Sequence, residues 1–253
     1  MTELMDKTLT SNRRLAEREA ENCSRCNGVD SITCCPNLMR GYMAIYRDNE
    51  PLAYRECEYG KRLRLQHRQK AMMGAANLGE RFWSRTFDRF TVKDFNRRAY
   101  ESARNYASTF IQSRRWLILS GPVGVGKTHL AVAVLLDAIG RNLEPLYCPV
   151  VDMLARHRAS FQTEDTMDYD TRLRDNDLLV LDDLGKERDD EKAKEFLFGI
   201  INGRYEGDMP TIITTNLDGE GIKRRYGMPI LSRLSEVGEI VVMTGSDWRL
   251  AAM

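Results

Sequence analysis

Gly121-Pro122-Val123-Gly124-Val125-Gly126-Lys127-Thr128 is a complete G-x-x-x-x-G-K-T string. It follows an apolar stretch, Trp116-Leu117-Ile118-Leu119, that reads as a buried strand, and it precedes a helical pattern over residues 129–139. A strand, a glycine turn and a helix start together make an anion trap. Backbone N–H groups point at phosphate oxygens and the helix dipole adds positive potential. Lys127 reaches the outer phosphates and Thr128 offers its hydroxyl to Mg²⁺. His129 belongs to the same loop-to-helix junction as a helix-start side chain rather than a catalyst. A plain glycine turn has no need of that strand and helix, so the loop predicts a bound nucleoside triphosphate.

Outward from the loop, residues 116–120, 144–149, 177–182, 210–215 and 239–243 read as strands. Helices are expected between them at 127–140, 150–161, 191–206 and about 219–234. This alternation predicts an α/β fold with a five-stranded parallel sheet covered on both faces. The run Asp177-Leu178-Leu179-Val180-Leu181 delivers Asp182 and Asp183 at its carboxyl end, the edge that faces the ligand crevice in such sheets. Asp182 is the candidate Mg²⁺ carboxylate. Asp183 is the candidate that orients the attacking water. Fifty-four residues separate Asp182 from Thr128, with a strand and a helix between them. The strand Thr211-Ile212-Ile213-Thr214-Thr215 ends in Asn216, a candidate sensor of the γ-phosphate, where the alternative is a cap on the next helix. Arg233 and Arg249 are candidates for charge neutralisation, Arg233 on a neighbouring subunit's nucleotide and Arg249 on the chain's own.

The chain has 253 residues, 42% hydrophobic and 30% charged, the balance of a soluble globular protein with room for one medium domain and one small one. No run approaches the length of a membrane span, and the polar start Met1-Thr2-Glu3-Leu4-Met5 lacks a signal peptide's apolar core, so a cytoplasmic location is expected. The net charge of +1 hides an asymmetry, because residues 61–115 carry 14 Lys/Arg against 4 Asp/Glu. Such a basic segment points to an anionic contact, with nucleic acid as the first candidate and a solvated helix face as the alternative. Phe95, Ala99, Ala103, Tyr106 and Phe110 form a helical stripe that reads as core. Gly74-Ala75-Ala76-Asn77-Leu78-Gly79 reads as a flexible linker end.

Five of the six cysteines lie between positions 23 and 57. Cys23-x-x-Cys26 has the spacing of a metal knuckle, and Cys35 with Cys57 completes a tetrahedral Zn²⁺ set. Cys34 in place of Cys35, or His67 as the fourth ligand, are the alternatives. A polar module of about 60 residues has little core of its own, so a structural ion would help it fold. Cys148 reads as a core residue, and residues 13–20 as a short helix. The expected organisation is a zinc-binding domain over 1–60, a basic linker helix over 61–80 and an ATPase domain over 81–253.

Taken together, these residues resemble the AAA+ helicase loaders of bacterial and phage replication, the DnaC/DnaI type. The resemblance rests on Gly121 to Ala131, Leu178-Leu179-Val180-Leu181-Asp182-Asp183-Leu184-Gly185, Thr214-Thr215-Asn216, Ser232-Arg233-Leu234 and Phe87-Asp88-Arg89-Phe90. Cys35-Pro36-Asn37-Leu38-Met39-Arg40-Gly41-Tyr42 and Tyr54-Arg55-Glu56-Cys57 are similar to the zinc-bearing domain of the DnaI branch. The resemblance implies that the zinc domain docks on a hexameric replicative helicase. It implies an AAA+ domain that binds Mg·ATP, self-associates and grips single-stranded DNA, with ATP hydrolysis timing release; the intact Lys127, Asp182 and Asp183 set predicts slow ATPase activity stimulated by DNA. It assigns Lys127, Thr128, Asp182, Asp183 and Asn216 to the cis site, Arg233 to a finger in trans and Arg249 to a second sensor. Residues 150–174 would line the DNA path. Asp183 stands where many AAA+ proteins have Glu, and no helical lid is expected after the core. An IstB-type transposition ATPase shares the core but normally lacks the zinc module. A nucleotide-gated adaptor without hydrolysis is a further alternative, and a transcription factor ranks below both. Elemental analysis of the purified protein tests the cysteine module: zinc is expected in the native chain and its loss in Cys57→Ser, and a zinc-free native protein overturns the assignment.

Overall fold

Five short apolar strands expose two apolar faces, and only helices on both sides can keep water from them. The computed structural model describes residues 42–47, 50–56, 58–160, 166–245 and 247, and divides the chain into two units, residues 1–70 and 71–253. The expected helix over 13–20 lies outside the described residues.

In the first unit, β1 (Tyr42–Arg47) and β2 (Glu50–Glu56) pair as an antiparallel hairpin. The sequence reading did not anticipate it, because two short strands carry too few alternating residues to stand out. Helix α1 (Glu58–Ala75) follows, carrying the basic run that begins at Lys61.

The second unit is the α/β core. Helix α2 (Asp94–Ser113) leads to β3 (Trp116–Ser120), α3 (Lys127–Gly140), β4 (Pro145–Pro149), α4 (Val150–Ser160) and α5 (Thr166–Asp175). Then come β5 (Leu178–Leu184), α6 (Glu191–Glu206), β6 (Thr211–Thr215), α7 (Gly219–Tyr226), α8 (Met228–Val237) and β7 (Gly238–Val242). All five core strands are parallel, in the order β4-β5-β6-β3-β7. Strands β3, β4, β5 and β6 divide their residues between two cores by the period of two, whereas the edge strand β7 buries only Val241 and leaves Ile240 and Val242 exposed. Leu117 and Leu119 join Leu178, Val180 and Ile212 against α2 and α3. Trp116 and Ile118 join Leu179, Leu181 and Ile213 against α4, α6 and α8.

Three local expectations are corrected. The single helix expected over about 219–234 is two, because Gly227 turns the chain at φ 84 and Pro229 opens the next helix. The stretch 74–79 is not a flexible linker end, since Ala76 and Leu78 are buried and the Tyr147 N–H donates to the Ala76 carbonyl at 2.8 Å. That contact covers part of the open edge of β4. In the α2 stripe, Ala99, Ala103, Tyr106 and Phe110 are buried, but Phe95 in the first turn is 48% exposed.

Arg204 of α6 lies fully inside the core. Its guanidinium donates to the carbonyls of Leu173, Arg174, Asn176 and Pro210 and to the Thr211 hydroxyl. Burial pulls it down to about 10, which still leaves it charged at neutral pH. One planar donor thus ties the end of α5 to the start of β6. Replacing it by Leu strands several buried carbonyls, so Arg204→Leu is expected to cost about 3 kcal/mol in urea denaturation. A loss below about 1 kcal/mol would mean that water takes over those bonds.

Candidate nucleotide site

The chain leaves β3 at Ser120, turns through the glycine loop and enters α3 at Lys127. Gly126 caps that helix at φ 101, and a Cβ there would meet the Phe90 ring at 2.8 Å. A side chain is therefore excluded by backbone strain and by space. Because β3 lies beside β6, and β6 beside β5, three strand ends converge on the loop. Strand β6 thus lies between the loop strand and the Asp182 strand.

Lys127 is only 5% exposed. Its ammonium donates to the carbonyls of Gly121 and Pro122 and to Asn216 Oδ1, each at 2.7 Å. The loop lysine and the expected sensor are thus in direct contact. A phosphate entering the loop would replace some of these acceptors with stronger charge-assisted bonds.

Strand β5 carries a bulge between Leu181 and Leu184, with Asp183 in the left-handed region at φ 62. The bulge aims two successive carboxylates differently. Asp182 is 4% exposed. Its Oδ1 accepts from Thr128 Oγ1 at 2.9 Å and Thr214 Oγ1 at 2.6 Å, and its Oδ2 accepts from the Tyr147 hydroxyl at 2.6 Å. Asp183 is more exposed, and its Oδ2 pairs with Lys186 Nζ at 2.7 Å. The lysine engages one of the two carboxylate oxygens. The Asp183 N–H donates to Thr214 Oγ1 at 2.9 Å, and Thr215 Oγ1 donates to the Leu184 carbonyl, so β6 holds the bulge.

The hydroxyl of Thr128 and the carboxylate of Asp182 offer two hard oxygens beside the phosphate loop. That donor set fits Mg²⁺, which needs few protein ligands and keeps water and phosphate oxygens as the rest. No cluster of three or more His, Cys, Asp or Glu that would suit a fully protein-bound metal occurs among the described residues.

A cavity of about 260 Å³ opens against the loop. Val123 to His129, Asp183 and Asn216 line one side, and Arg85, Arg89, Phe90 and Lys93 line another. His129 sits edge-on to Phe90 at 5.2 Å, with Nε2 at 2.9 Å from the Thr86 carbonyl, and burial lowers its pKa. It anchors the 86–90 segment to the helix start. Arg233 does not line this cavity; it stacks over Phe198 and Tyr205 on α6 and donates to the Pro229 carbonyl. Arg249 and the cysteines Cys23, Cys26, Cys35 and Cys57 lie outside the described residues. The sequence reading gave no role to Tyr147, Thr214 or Lys186. Lys186 had a local signal, three residues after Asp183, and Thr214 stands in the quoted Thr214-Thr215-Asn216 run.

The family described as IstB-like ATP binding protein matches residues 56–252. The replicative helicase loader DnaC of Buchnera aphidicola subsp. Acyrthosiphon pisum is 25% identical over 173 residues, covering 66% of this chain and 70% of the relative. The replicative helicase loader DnaI of Bacillus subtilis is 21% identical over 215 residues, covering 82% and 68%. The crystal structure of a DnaC helicase loader superposes with a TM-score of 0.61 at 27% identity, covering 66% of this chain and all of that one. The five-stranded parallel core is thus AAA+-like. Among the described residues no helix is long and apolar enough to cross a membrane.

Thr214 is fully buried and serves both aspartates. Thr214→Val keeps the shape but removes the hydroxyl, so it is expected to lower unfolding stability by about 2 kcal/mol. Equilibrium urea denaturation measures it, and an unchanged midpoint would show that the hydroxyl does not hold the bulge.

Proposed function

Because the chain belongs to the IstB-like ATP-binding family, we propose that it is an ATP-hydrolysing loader that delivers a replicative DNA helicase onto single-stranded DNA in the cytoplasm. The observation that carries this reading is the linked set Lys127–Asn216 and Thr128–Asp182 at the carboxyl edge of the sheet, in a chain similar to proteins named helicase loaders. Residues 121–129 cradle the phosphates, and Lys127 turns from its loop carbonyls to the outer phosphate. Magnesium bound by Thr128 and Asp182 would neutralise charge on the phosphate oxygens. Asp183 orients the attacking water beside its Lys186 ion pair, and Asn216 reports the γ-phosphate to Lys127. Arg233 acts on the nucleotide of a neighbouring copy, and Arg249 on the chain's own. Cys23, Cys26, Cys35 and Cys57 hold zinc in an N-terminal domain that docks on the helicase. Residues 150–174 line the DNA path.

A second reading, a transposition accessory ATPase, is favoured by the description of the matched family. Co-purification separates the two: the loader is retained by a replicative helicase and the transposition ATPase is not. With helicase and single-stranded DNA present, ATP turnover is expected to exceed that of Lys127→Ala by about a hundredfold, the order lost when one preorganised charge-stabilising donor is removed. Turnover equal to Lys127→Ala would leave only a nucleotide-gated adaptor. Loss of helicase binding in Cys57→Ser but not in Lys127→Ala is expected if docking belongs to the cysteine module.

A further inference from the structure

We propose that Tyr147 is a positioning residue for the magnesium carboxylate, and that the strap immediately after α1 fixes it in that role. The proposal rests on the reading of Asp182 as the magnesium ligand. Tyr147 is 3% exposed, in the edge strand β4. Its register partner is Val180, so its side chain lies on the same face as Asp182, two residues on. Its hydroxyl donates to Asp182 Oδ2 at 2.6 Å, while both threonine hydroxyls use Oδ1. A carboxylate bonded on one oxygen can still swing about its χ2 torsion. Bonding the second oxygen fixes the plane and holds Oδ1 toward Thr128 and the loop.

The tyrosine is itself gripped by a short segment of backbone. Its N–H donates to the Ala76 carbonyl at 2.8 Å and its carbonyl accepts from Asn77 Nδ2 at 3.1 Å. Its ring packs on Phe82 at 5.3 Å. Asn77 adopts φ 57, and its Oδ1 accepts from Arg156 at 3.2 Å. Arg172 holds the Ala75 carbonyl, and the Trp83 indole holds the Leu78 carbonyl. Four hydrogen bonds and one ring contact thus connect residues 75–83 with the tyrosine and with α4 and α5, and the Trp83–Leu78 bond ties the segment to itself. Packing alone would be served by Phe at position 147. The hydroxyl adds a polar atom in a buried place, and its bond to the carboxylate is what makes that tolerable.

The test measures binding of a fluorescent ATP analogue during Mg²⁺ titration, alongside its affinity in EDTA. Relative to the affinity in EDTA, Tyr147→Phe is expected to raise the half-saturating Mg²⁺ concentration about tenfold, the lower end of losses seen when a ligand's hydrogen-bond partner is removed. Asn77→Ala is expected to shift it the same way by about threefold, a smaller loss because it acts through Tyr147. Asp182→Asn is expected to abolish the Mg²⁺ dependence. If Asp182→Asn does so while Tyr147→Phe titrates like the native chain, the positioning role is overturned. If Asp182→Asn keeps the native Mg²⁺ dependence, the magnesium reading itself is overturned. Circular dichroism checks folding of each variant. Should Tyr147→Phe not fold, Asn77→Ala decides, and a native Mg²⁺ titration in it overturns the proposal.

Discussion

A carboxylate buried at 4% exposure must have partners, and meeting that demand at Asp182 shapes the strand ends around it. Three hydroxyls reach it, from α3, β4 and β6. Each comes from a different element, so the oxygen atoms register the alignment of the whole carboxyl edge of the sheet. The bulge in β5 is part of the same solution. It turns Asp182 inward and leaves Asp183 half-exposed, giving adjacent identical side chains different surroundings.

The sheet order follows from where that edge must face. With β3 between β6 and β7, the phosphate loop leaves the sheet beside Asn216, and Lys127 reaches it directly. With β5 next to β6, Thr214 can serve both aspartates. At the opposite end of β6, Arg204 gathers carbonyls that the helix end and the turn would otherwise leave unpaired. Rigidity at that end leaves the functional edge free to be built from loops.

Much of this was legible locally. The strand-turn-helix around Gly121–Thr128 needs eight consecutive residues, and its helix begins at Lys127 as expected. The alternation of strands and helices was readable because each buried strand is a short apolar run between polar turns. What failed locally failed for identifiable reasons. Gly227 and Pro229 split a helix that the hydrophobic pattern alone would continue. The stretch 74–79 has a linker's composition, yet the edge of β4 needs partners and recruits it. Phe95 keeps the helical spacing of its stripe but falls in the first turn, beyond the sheet's cover.

The sequence by itself determined the phosphate loop, the carboxylate pair and Asn216, because each depends on backbone and side chains a few residues apart. Only the tertiary structure decided that Tyr147 and Thr214 converge on Asp182, that Lys186 occupies Asp183 and that Lys127 rests on Asn216. Tyr147 lies 35 residues from Asp182, and Thr214 lies 32 from it. Neither separation carries a period or motif, and only strand pairing brings these hydroxyls to one carboxylate. A buried charge selects its partners by distance in space, and that distance is set by the order of the strands.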